Sequence, residues 1–81
     1  MSESDHVTGR QIAAARTLLG LSQGDLAEAA RVSIATLRRM EAADGRPPGM
    51  PNNVLAVVST LEAQGIEFCT GDAPGLRVRR G

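Results

Sequence analysis

The residues able to do covalent or metal chemistry are few and far apart. The chain's one histidine, His6, stands in a polar, acidic N-terminal stretch, and its one cysteine, Cys69, stands near the other end. One Cys with one His cannot build a structural zinc site, and a lone Cys cannot close an internal disulfide. Their separation also argues against a Cys–His nucleophile pair. No acid, base and nucleophile gather into a constellation. The expectation is no enzyme, no metal and no cofactor. The cations are nine arginines with no lysine, balanced by nine acids, so the net charge is zero. A nucleic-acid binder usually carries a basic excess, and this chain does not.

The elements that must position these groups follow from length and pattern. Eighty-one residues allow one small domain, which at this size removes only about 60% of the unfolded chain's surface from water. Apolar residues make up 42% and charged residues 22%, an ordinary globular balance. Phe68 is the only aromatic residue, so the core must be aliphatic and alanine-rich, which suits close-packed helices. The apolar runs are too short to span a membrane. The Met1-Ser2-Glu3-Ser4-Asp5-His6 start is no signal peptide, so the expected compartment is the cytoplasm.

Residues 1–7 read as a disordered tail. Thr8 and Gln11 have the spacing of a capping box at the start of a first helix. Ile12, Ala15 and Leu19, with Leu18 beside them, give that helix an apolar face, and Gly20 ends it. Ser22 caps a second helix over about 22–30, with Asp25 in its first turn and Leu26, Ala27 and Ala30 inward. After the short link Arg31-Val32-Ser33, Ser33 caps a third helix over about 33–43, with Leu37 and Met40 inward. The breaker-rich stretch from Arg46 to Pro51 is a loop. A fourth helix begins near Asn52 or Asn53, carries Val54, Val58 and Leu61 with Leu55 and Val57 nearby, and stops at Gly65. Residues 66–81 form a β-hairpin and C-terminal tail. Ile66 and Phe68 alternate against Leu76 and Val78 around a Gly/Pro-rich turn. That apolar side suits either the core or a second copy of the chain. The fold class is mainly α: a helix-turn-helix domain of four helices over 8–65, followed by the hairpin.

Two capped helices joined by about three residues, with the small Ala27 where they cross, have helix-turn-helix geometry. Leu21-Ser-Gln, Leu26-Ala27, Ala30, Val32-Ser33, Thr36-Leu37 and Glu41 resemble the phage-repressor-like (Cro/CI, or XRE) helix-turn-helix family. With Leu61 to Phe68 and Pro74 to Arg79, the whole chain looks like a group of short stand-alone proteobacterial regulators. The resemblance implies a cytoplasmic, sequence-specific DNA-binding transcriptional regulator with double-stranded DNA as partner. Gln23 matches the position that touches a DNA phosphate. The third helix matches the recognition helix, which enters the major groove and reads with its N-terminal part. This makes Ser33, Ile34, Ala35, Thr36, Arg38 and Arg39 the DNA-binding set. Thr36 offers a hydroxyl to a base edge or a phosphate, Arg39 a guanine contact, and Arg38 a charge toward a phosphate or the flank. Arg16 matches a position paired with the glutamate that ends the third helix, here Glu41.

Three features depart from the pattern. The first reading positions, usually polar, hold Ile34 and Ala35. Arg31 stands where the inter-helix turn usually has Gly, and a left-handed Arg costs roughly 1–2 kcal/mol. Residues 1–45 carry five arginines (Arg10, Arg16, Arg31, Arg38, Arg39) against six acids (Glu3, Asp5, Asp25, Glu28, Glu41, Asp44). DNA binding grows with the phosphates neutralised, and a homodimer, paired through the hairpin, doubles the cations offered. The alternative reading is a helix-turn-helix-shaped antiactivator or other protein-binding module that sequesters a transcription factor. Neutral charge, Ile34, Ala35 and Met50 support it. Arg77, Arg79 and Arg80 read as solvated rather than as a basic wing on DNA.

Overall fold

The computed structural model describes residues 7–69 and 75–78. Four helices run in order: α1 (Gly9–Leu18), α2 (Gln23–Ala30), α3 (Ile34–Glu41) and α4 (Pro51–Ala63). Two antiparallel strands follow, β1 (Ile66–Cys69) and β2 (Gly75–Val78). The expected four helices with a C-terminal hairpin are therefore what the chain forms. The expected tail over 1–7 falls on residues outside those described, except Val7, which packs against the core. The hairpin turn between Cys69 and Gly75 and the tail after Val78 also lie outside the described residues.

Capping residues set where the helices begin. Thr8 Oγ1 accepts from the Gln11 amide, and Gln11 Oε1 accepts from the Thr8 amide, which closes a full capping box. Ser22 and Asp25 do the same at α2. Ser33 caps α3 by accepting from the Thr36 amide. Helix α4 starts at Pro51, one or two residues before the expected Asn. Proline at the first helical position loses no hydrogen bond, because that amide has no partner inside the helix. Helix α3 ends at Glu41 rather than near residue 43: Ala42 is its cap, and the chain turns toward Gly45.

The core is aliphatic. Ile12, Leu26, Leu37, Met40, Val57, Leu61 and Ile66 are fully buried, each contributing about 1.5–3 kcal/mol of hydrophobic stabilisation. Ala15, Ala27 and Ala30 fill the narrow crossings between them. Helix α1 packs on α3 and α4, and α2 packs on α3 and α4. The hairpin lies against this body through β1 on α4 and β2 on α1. Ile66 stands opposite Val78 and Phe68 opposite Leu76, and all four pack into or onto the core. The apolar side of the hairpin thus has a core to cover. Two residues placed on apolar faces by periodicity are instead exposed, Leu18 by 58% and Leu55 by 63%. Each lies at the margin of its stripe, where the helix has turned past its neighbours.

The first turn of α1 is a junction. A β-carbon on Gly9 would stand 1.9 Å from the Met40 carbonyl oxygen and 2.6 Å from that of Ala43. Only glycine lets the start of α1 come this close to the end of α3. The Gly9 amide donates to the Gly45 carbonyl at 3.0 Å, and Arg10 pairs with Asp44. The buried Gln11 carboxamide donates to the carbonyls of Cys69 (2.9 Å) and Gly75 (2.7 Å), the rung of the ladder next to the turn. One side chain thereby serves as a cap for α1 and as a clasp for both strands.

Candidate nucleic-acid interface

The link between α2 and α3 sets the angle of the candidate surface. Helix α2 ends when Arg31 takes a left-handed conformation (φ 60°, ψ 44°). The Arg31 amide donates to the Glu28 carbonyl and the Val32 amide reaches back to Ala27. This is a Schellman ending. Helix α1 ends in the same way, with Gly20 at φ 74°, its amide bonded to Thr17 and the Leu21 amide to Arg16. The two endings do the same job with different residues, and only the one at Arg31 carries the strain of a β-carbon in the left-handed region.

Helix α3 then presents a mixed outer face. Ser33 Oγ accepts from the Thr36 amide and donates to Thr36 Oγ1 at 2.8 Å, so the Thr36 hydroxyl keeps its own hydrogen to give elsewhere. Ile34 is 39% exposed, and its Cδ1 reaches over α2 toward Gly24. Ala35, Arg38 and Arg39 are exposed, while Leu37 and Met40 point into the core. Arg39 has no ion-pair or hydrogen-bond partner among the described residues.

Behind this face runs a chain of charged and polar groups. Arg16 Nε donates to Glu41 Oε2 at 2.8 Å and Arg16 Nη2 to Glu41 Oε1 at 3.1 Å, a two-pronged pair joining α1 to α3. Its third nitrogen, Nη1, donates to the Leu21 carbonyl at 2.9 Å. The side chains are 19% and 6% exposed, so the pair is largely withdrawn from water. Gln23, first residue of α2, donates from Nε2 to Glu41 Oε1 at 3.1 Å. Arg38 Nε donates to Gln23 Oε1 at 3.4 Å. Residues from three helices are thus connected in the order Arg16, Glu41, Gln23, Arg38.

The structure therefore brings Gln23, Ser33, Ile34, Ala35, Thr36, Arg38 and Arg39 to one side of the α2–α3 pair. Arg16 is turned away into its pair with Glu41, and Arg10 is paired with Asp44. Sequence reasoning did not anticipate the second role of Gln11 or the contact between Arg38 and Gln23. The capping spacing made Gln11 visible as a cap, but its strand partners lie 58 and 64 residues away. Among the described residues no three His, Cys, Asp or Glu side chains gather as a metal site, and no helix is long and apolar enough to cross a membrane.

A family model described as a helix-turn-helix domain matches residues 8–67, most of the chain. No curated protein sequence matches the chain at a significant level. The matched span runs from the capping threonine of α1 into β1 and includes the whole α2–Arg31–α3 unit. In such units the second helix of the pair is the one that enters the DNA groove. The geometry is also consistent with the phage-repressor-like resemblance of the sequence. The chain belongs to the helix-turn-helix domain family.

Proposed function

We propose that this protein is a sequence-specific transcriptional regulator that reads the major groove of double-stranded DNA with α3, in the manner of the short stand-alone regulators it resembles. The observation that carries this reading is the exposure of Arg38 and Arg39 on the outer face of α3, beside Gln23 in the first turn of α2. Glu41, the acid on the same helix, does not cancel them, because it is occupied by Arg16 and Gln23. Arg39 supplies a bidentate contact to guanine, and Thr36 and Ser33 supply hydroxyls. Ile34 and Ala35 offer apolar contact to a thymine methyl group. One module covers half a site, and a second copy of the chain, in a cytoplasmic homodimer, supplies the second half.

A salt series against genomic DNA fragments, including the protein's own promoter, tests the proposal. Specific retention should weaken steeply with salt. Arg39→Ala should cost about 1–3 kcal/mol at one base position.

The exposed Ile34 supports a second reading, in which the same face grips a transcription factor and sequesters it. Ile34→Asp would then be the damaging change, since it puts a charge into an apolar contact. Binding would respond weakly to salt, and no DNA fragment would be retained selectively.

A further inference from the structure

We infer that Gln23 is a positioning residue, which holds the Arg38 guanidinium against a DNA phosphate. The inference rests on the DNA-binding reading and deepens it. A carboxylate can only accept hydrogen bonds and a guanidinium can only donate them. Glu41 on one side and Arg38 on the other therefore leave the Gln23 carboxamide a single orientation. Its nitrogen must face Glu41 (3.1 Å) and its oxygen must face Arg38 (3.4 Å). Glu41 cannot swing away, because both its oxygens are held by Arg16 and its side chain is only 6% exposed. The orientation set in the interior is thus handed outward through one amide to an exposed cation.

The consequence for binding is a division of labour. The carboxamide nitrogen of Gln23 faces Glu41, and its outward oxygen would repel a phosphate. Arg38 uses only Nε on Gln23 and keeps four N–H bonds on its two terminal nitrogens for an anion. An arginine held in place gives up less side-chain freedom on binding than a free one. Arg39, one residue further on, has no such brace, so the two arginines differ in order before DNA arrives.

The test uses the full chain, with genomic fragments retained by the parent as probe and with Gln23→Met, Arg38→Ala and the double variant. Gln23→Met keeps the length of the side chain and removes both hydrogen bonds. Gln23→Asn, which cannot reach both partners, serves should the methionine variant melt well below the parent. In the free parent the heteronuclear NOE at Arg38 Nε should approach backbone values, and in Gln23→Met it should fall to the level of Arg39. Arg38→Ala should lower affinity about 5–10-fold near 0.1 M salt and reduce the salt slope by about 0.9, the loss of one phosphate contact. Gln23→Met should reproduce part of the affinity loss with the slope nearly unchanged, because Arg38 keeps its charge and loses only its order, and in the double variant it should add nothing to Arg38→Ala. A mobile Arg38 in the parent overturns the inference. So does a Gln23→Met loss that multiplies with that of Arg38→Ala, for then Gln23 touches DNA itself. Failure of the parent to retain any fragment at low salt overturns the DNA-binding reading, and the inference with it.

Discussion

Breaking the Arg16–Glu41 pair should be among the most damaging single changes available in this fold. The side chains are 19% and 6% exposed, and Glu41 accepts three hydrogen bonds. Replacing Arg16 by Met leaves a carboxylate in the interior with only the Gln23 amide to answer it. Replacing Glu41 by Ala leaves a guanidinium with only the Leu21 carbonyl. Removal of one member of such a pair typically costs about 3–5 kcal/mol, because the other charge stays buried. The partial exposure of Arg16 puts the expectation at the lower end, about 3 kcal/mol for each variant. Arg16→Met should be the worse of the two, since its orphan is the more buried group. A domain of this length has only about 4–12 kcal/mol in total, and each kcal/mol moves the melting point by roughly 4–8 °C. Thermal melts followed by far-UV circular dichroism should therefore show falls of roughly 12–24 °C. The Arg16→Met/Glu41→Met double variant should be far less unstable than the sum, because no charge is stranded. Melts of both single variants within about 2 °C of the parent would refute the reasoning, since a shift that small corresponds to well under 1 kcal/mol.

Gly9→Ala should destabilise by about 1–3 kcal/mol, although alanine is the better helix former, because its methyl group would overlap the Met40 carbonyl; an unchanged urea midpoint would show that α1 and α3 separate freely. Arg31→Gly should stabilise by about 0.5–1 kcal/mol, the relief of left-handed strain less the gain in unfolded-state freedom; a lower melting temperature would contradict this. Gln11→Met should cost about 1–3 kcal/mol by orphaning the Thr8 amide and the Cys69 and Gly75 carbonyls, with NMR shift changes concentrated in β1 and β2; shifts confined to α1 would remove the clasp.

What was legible in the sequence was local. Thr8, Ser22 and Ser33 announce three helix starts, because a cap and its amide partner lie within one turn. The hairpin and its apolar side are legible from two alternating apolar pairs flanking turn residues. The left-handed Arg31 was indicated by the resemblance rather than by local pattern, since Arg31 stands where the family's inter-helix turn usually has Gly. The errors come where neighbours in space decide. Leu55 and Leu18 continue an apolar pattern, but among the described residues both stay largely exposed. Pro51 begins α4 because its ring fits the first turn, one or two residues before the start expected near Asn52 or Asn53. The site was legible in composition but not in connection. Helical spacing puts Thr36, Arg38 and Arg39 on one element, yet that Gln23 stands between Glu41 and Arg38 depends on how α2 meets α3.

The first turn of α1 has a consequence for the order in which the molecule opens. Helix ends normally fray, and their amides exchange with solvent at almost no free-energy cost. Here the Thr8, Gly9 and Gln11 amides are bonded to the Gln11 side chain, the Gly45 carbonyl and Thr8 Oγ1. Freeing the turn means lifting the loop after α3 and unclasping both strands. Deuterium should therefore enter these terminal amides as slowly as the buried middle of the helix, and they should be released only when the whole domain unfolds.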